Sequence, residues 1–172
     1  SAGMGGSLEQ AKALNIAKGE SQRLSFQGPN YYTLTLTESA KFTFTAETKS
    51  PLDVIKGISK LSENKDNAIV SKGSGVSDNH ETVVLPKGQY TIYAYSTPSS
   101  ATGTITVKRE NWTGISSISC DSSYTGVKGS TVTFKVNYTP ANADSQITMK
   151  EATAFAMKDK TITKVSQANG VA

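Results

Sequence analysis

Tyr32-Thr33-Leu34-Thr35-Leu36, a turn at Glu38-Ser39, and then Phe42-Thr43-Phe44-Thr45-Ala46 alternate apolar with polar residues. A side-chain period of two belongs to strands with one buried and one wet face. The same beat extends outward from this stretch. Ser21-Gln22-Arg23-Leu24-Ser25-Phe26 precedes it, and Gly103-Thr104-Ile105-Thr106-Val107 and Val132-Thr133-Phe134-Lys135-Val136 follow it. Gly, Pro and Asn punctuate the runs. Many short strands separated by turn residues make β-sandwiches. No strand is followed by an amphipathic helix, which excludes the parallel crossover sheets of common enzyme folds.

The chain has 172 residues, 36% of them apolar, which suffices for two small sandwiches. Strands are expected at Leu14–Ile16, Arg23–Phe26, Tyr31–Thr37, Lys41–Glu47, Thr82–Leu85, Tyr90–Ser96 and Thr102–Lys108, with turns at Pro29-Asn30, Glu38-Ser39 and Pro86-Lys87-Gly88. Leu52–Lys72 reads equally as a short helical stretch through Val54, Ile55, Ile58 and Leu61 or as a strand and a loop. Ser71–Asn79 reads as a surface loop. Further strands are expected at Ile115–Cys120, Thr131–Tyr138, Gln146–Met149, Phe155–Met157 and Thr161–Val165. Residues 1–7 read as a tag remnant. The organisation expected is a first sandwich over 8–110, a short linker at 111–114 and a second unit over 115–172.

Eighteen Lys and Arg against fourteen Asp and Glu give a net charge of +4. The charges are scattered, with no run of five like signs and no basic stripe between aromatics, so no nucleic-acid partner is expected. No stretch approaches the roughly 18 apolar residues of a membrane span, so no membrane insertion is expected. Cys120 is the single cysteine, which excludes an intrachain disulfide. It stands in phase with Ile118 and is expected to be a small buried hydrophobe. With His80 the single histidine, the zinc ligand set is too small. Calcium would need several convergent oxygens; Asp66 with Asn67, Asp78 with Asn79 and Glu81, and Asp121 are loop oxygens, but they lack Asp-x-Asp-x-Asp spacing. No metal and no cofactor are expected. His80 lies in the polar stretch Ser77-Asp78-Asn79-His80-Glu81, read as a loop, and no nucleophile elbow accompanies it. A non-enzyme is expected.

Binding residues follow from phase. Tyr32, Leu34 and Leu36 share the apolar phase of their run, which leaves Tyr31 outward. Tyr90, Ile92 and Ala94 share one phase of theirs, which leaves Tyr93 and Tyr95 outward. Three tyrosines on the wet face of a sheet form a stacking surface for sugar rings or peptide. The alternative is that they only decorate exposed strands, where tyrosine is favoured. Trp112, at the expected joint, plugs that joint or touches a ligand.

Tyr31-Tyr32-x-Leu34-x-Leu36, Phe42-x-Phe44 and Leu85-Pro86-Lys87-Gly88-Gln89-Tyr90-Thr91-Ile92-Tyr93-Ala94-Tyr95 resemble the bacterial pre-peptidase C-terminal domain over most of residues 11–108. That resemblance implies a jelly-roll-like β-sandwich attached to a secreted enzyme or surface protein. Pro29 and Asn30 stand where the family carries acidic residues before its tyrosine pair. Ile115-Ser116-Ser117-Ile118, Val127-Lys128-Gly129-Ser130-Thr131-Val132-Thr133-Phe134, Thr139-Pro140-Ala141-Asn142-Ala143 and the run Ile162–Val171 resemble a bacterial immunoglobulin-like domain of group 2. The family's tryptophan is absent, with Met149 near its place, and its last strands are missing. The resemblance therefore implies an incomplete sandwich with an open edge: either the remainder was cut off, or another chain fills the gap by strand addition. The expectation is an all-β chain of two sandwiches, jelly-roll-like then immunoglobulin-like. It is a secreted or cell-surface bacterial module for adhesion, presentation or binding of an extracellular polysaccharide or protein. The alternative is a carbohydrate-binding accessory module of a polysaccharide-degrading protein.

Overall fold

A computed structural model of the chain describes residues 7–47, 50–63, 66, 68–72, 80–120, 127, 129–130, 133–147 and 166–172. The strands of the first unit are β1 (Lys12–Leu14), β2 (Ser21–Gln27), β3 (Pro29–Leu36), β4 (Ala40–Ala46), β5 (Leu52–Lys56), β6 (Ala68–Lys72), β7 (His80–Leu85), β8 (Gly88–Tyr95) and β9 (Thr102–Arg109). One sheet has the order β1-β3-β8-β5-β6 and the other β2-β9-β4-β7. Every connection except β5–β6 carries the chain from one sheet to the other, in the manner of Greek-key sandwiches. The pairings are antiparallel apart from β1 with β3, which is parallel.

The period-two reading places the core correctly. Leu24 and Phe26, Tyr32, Leu34 and Leu36, Phe42 and Phe44, Tyr90 and Ile92, and Ile105 and Val107 are all buried in one cluster. Each such side chain contributes roughly 1.5–3 kcal/mol by leaving water. The Phe42 and Phe44 rings lie 5.9 Å apart within it. Gly103 has no room for a side chain, since a Cβ there would sit 2.5 Å from the Phe26 ring and 2.9 Å from Ser50 Oγ.

Several expected boundaries move. The turn expected at Pro29-Asn30 falls one residue earlier, at Gly28, and both residues join β3. Gly28 takes φ +66°, and its N–H donates to Ser96 Oγ at 2.7 Å, so the sharp corner between sheets needs glycine. The first strand is Lys12–Leu14 rather than Leu14–Ile16, because it pairs with β3 through Lys12–Tyr32 and Leu14–Leu34. Leu52–Lys72 resolves into β5, a 3-10 turn at Leu61–Glu63 and β6, which includes Ser71 and Lys72. His80, read as a loop residue, opens the edge strand β7 opposite Thr45 and is exposed. Ser77, Asp78 and Asn79 lie outside the described residues.

The chain divides into compact units at Trp112 and Thr113. In the second, β10 (Ser117–Cys120) pairs antiparallel with β11 (Val136–Thr139). The C-terminal residues pair with β11 as well. Val136 and Ala172 exchange both backbone hydrogen bonds, at 2.9 and 2.8 Å, and Tyr138 N–H donates to the Gly170 carbonyl at 2.8 Å. Gln167 bridges the Ile147 N–H and the Ser145 carbonyl, each at 2.7 Å. Tyr138 is buried, but Ile118 is 58% exposed and Phe134 53% exposed. Cys120, expected to be buried, is exposed. Its phase with Ile118 was legible. Burial was not, since it requires a second layer, and the described strands form one. The strands expected at Phe155–Met157 and Thr161–Val165 lie outside the described residues.

Candidate functional site

The two sheets of the first unit present different outer faces. The face of β2-β9-β4-β7 is a mesh of hydroxyls and charges. Thr43 and Thr82 share a 2.8 Å hydrogen bond, Arg23 meets Glu47 at 2.8 Å, and Thr106 donates to the same carboxylate at 3.0 Å. These hydrogen bonds hold the Glu47 carboxyl below its ordinary pKa, the Arg23 bond contributing most. Exposed pairs of this kind add little stability.

The face of β1-β3-β8-β5-β6 is aromatic. Pairing sets Tyr31 on β3 opposite Tyr93 on β8, Tyr93 opposite Asp53 on β5, and Asp53 opposite Ser71 on β6. One row thus crosses four strands on the side away from the core, spanning about 14 Å at ordinary strand spacing. Tyr95 stands one pleat farther along β8. The Tyr31 and Tyr93 ring centroids are 4.8 Å apart at 44°, and those of Tyr93 and Tyr95 are 5.5 Å apart at 39°. The rings therefore form a continuous ladder with Tyr93 in the middle. They are half-buried rather than bare, because they cover one another.

A backfolded loop closes one side of this face. Gly57 turns at φ +86°, and its carbonyl accepts the Thr91 hydroxyl at 2.7 Å. Ser59 N–H returns to the same hydroxyl at 3.4 Å. Thr91 and Ile55 share the outward phase of the tyrosines yet are fully buried. The loop brings Glu63 close enough to raise the Tyr31 pKa, although burial is the larger cause.

Asp53 is 8% exposed. Its Oδ1 accepts the Ser71 hydroxyl at 2.7 Å. Among the described residues no basic group lies within ion-pair distance of it, and its Oδ2 has no protein donor. Burial raises its pKa, partly offset by the Ser71 bond. The charge also acts on Tyr93, whose pKa is raised first by burial and then by Tyr31, Tyr95 and Asp53. Sequence reasoning missed Asp53, Ser71 and Glu63. The available signal was a carboxylate inside the apolar run Pro51-Leu52-Asp53-Val54-Ile55, where an acid is costly to bury.

The structure brings together Tyr31, Tyr93 and Tyr95, as their phase predicts. Trp112 is half-buried just beyond β9, a strand of the opposite sheet, and does not join the ladder. Among the described residues no group of His, Cys, Asp and Glu has the arrangement of a metal site.

No family model matches the chain, and no curated protein matches it. Among solved structures it is similar to the pre-peptidase C-terminal domain of collagenase from Bacillus anthracis, with 11% identity and a TM-score of 0.41 over 58% of this chain and 95% of that one. It is also similar to PliG from Aeromonas hydrophila, a periplasmic inhibitor of g-type lysozyme, with 19% identity and a TM-score of 0.44 over 58% of this chain and 95% of that one.

Proposed function

We propose that this chain is a non-catalytic module of a secreted or cell-surface bacterial protein, and that its first unit binds an extracellular polysaccharide. The observation that carries this reading is the contiguous ladder of Tyr31, Tyr93 and Tyr95 on an outer sheet face. Half-buried rings held by their neighbours offer apolar area to a sugar ring at little entropic cost. Asp53 and Ser71 in the same row supply acceptors for sugar hydroxyls, the Ser71 proton being held by Asp53. Residues 31–36 and 85–95 resemble a family of domains appended to exported proteins, which supports the location. The second unit, read as immunoglobulin-like, acts as a spacer. Among the described residues β11 is paired on both sides and β10 on one, so strand addition would use the outer edge of β10.

Affinity electrophoresis through gels containing soluble starch, xylan or hydroxyethyl cellulose tests the reading. Retardation in at least one gel, lost in Tyr93→Ala with unchanged circular dichroism, supports it. Equal mobility in all gels leaves presentation or spacing as the role of both units.

A further inference from the structure

The tyrosine row ends in an acid whose chemistry is unfinished. Asp53 Oδ1 is taken by Ser71, while Oδ2 lacks a protein donor among the described residues, in a side chain more than nine-tenths buried. A largely desolvated carboxylate that keeps one oxygen toward solvent is complemented best by a cationic donor. The tyrosine faces beside it attract cations too, through their ring quadrupoles. Glu63 adds a second negative charge at the Tyr31 end of the ladder. The nearest lysine along β6, Lys72, has its ammonium 3.6 Å from Glu81 on the edge strand β7. The stretch 53–63 balances Asp53 and Glu63 with the exposed Lys56 and Lys60, so selection falls to the Asp53 carboxylate beside the rings and not to a general negative field.

Resting on the polysaccharide reading above, we infer that Asp53 selects the ligand, and that the ladder takes a glycan carrying free, protonated amino groups. A pyranose ring stacks on Tyr93 while an adjacent ammonium donates to Asp53 Oδ2. An acetylated amine lacks the charge, and a neutral hydroxyl forms only an ordinary hydrogen bond. A charge-assisted hydrogen bond exceeds a neutral one by enough to give about tenfold in affinity.

Isothermal titration calorimetry with four probes tests this: the fully deacetylated chitosan hexamer, the fully N-acetylated hexamer, cellohexaose and hexalysine. Wild type is expected to bind the deacetylated hexamer about tenfold tighter than either neutral hexamer. Asp53→Asn, which keeps an acceptor for Ser71, is expected to bind all three hexamers equally. Should Asp53→Asn not fold, Glu63→Gln in the exposed loop is expected to lower the preference several-fold. Equal binding of charged and neutral hexamers by wild type, with all binding lost in Tyr93→Ala, overturns the inference and leaves the polysaccharide reading intact. Absence of binding to every glycan overturns both. Hexalysine binding as tight as the deacetylated hexamer also overturns the inference, because charge alone would then suffice.

Discussion

Tyr93 touches two rings, and Tyr31 and Tyr95 touch one each. This asymmetry predicts a specific pattern of coupling energies. An aromatic pair contributes about 0.5–1.5 kcal/mol beyond its buried area, and half-buried rings belong in the lower half of that range. The Tyr31–Tyr93 and Tyr93–Tyr95 couplings should each be about 0.5–1 kcal/mol, and the Tyr31–Tyr95 coupling near zero. Tyr93→Ala also forfeits on the order of 100 Å² of apolar burial, roughly 2.5 kcal/mol. Its total cost should therefore be about 3.5–4.5 kcal/mol, with each end tyrosine costing roughly 0.5–1 kcal/mol less. Urea unfolding of the three single, three double and one triple alanine variants, followed by far-ultraviolet circular dichroism, yields the cycles. A Tyr31–Tyr95 coupling equal to the other two, or no coupling between Tyr31 and Tyr93, would refute the ladder.

Gly103→Ala should destabilise the first unit by about 1–3 kcal/mol, because the new methyl meets the Phe26 ring, and the unfolding midpoint in urea reports it. Asp53 has a raised folded pKa, so the native state takes up its proton before the unfolded state does. Its contribution to stability accordingly falls as pH rises from the unfolded value of 3.8 through the folded one. Asp53→Asn should melt above wild type near about pH 7, with the gap closing toward about pH 4; a gap that widens in acid would contradict the assignment. Tyr32 has its pKa pushed up to about 12 by burial. The unfolded chain therefore loses this proton first, and stability should drop above about pH 10 by up to roughly 3 kcal/mol, less in Tyr32→Phe, as alkaline melting curves would show.

Strands β2, β3 and β4 were legible because each buries a single face. Leu24 and Phe26 or Phe42 and Phe44 read the same locally and in the sandwich. The tyrosine ladder was legible for the same reason, since Tyr31, Tyr93 and Tyr95 fall out of phase with buried neighbours. Asp53 was not legible. Four successive residues from Leu52 to Ile55 are buried, so alternation disappears. Their outer side is closed by the Gly57–Glu63 loop, a contact set by Thr91 more than thirty residues away. The parallel pairing of β1 with β3 leaves no period in three residues. In the second unit phase was legible but depth was not. Ile118 and Cys120 share a face with Val136 and Tyr138, yet only Tyr138 is buried.

The most direct test is a titration of the isotope-labelled chain with glycan hexamers, observed through the ring resonances of its seven tyrosines. The account predicts shifts concentrated on Tyr31, Tyr93 and Tyr95, with Tyr32 and Tyr90 on the core side unmoved. Shifts centred on Trp112 or on the Thr43–Thr82 face, with the ladder silent, would contradict it.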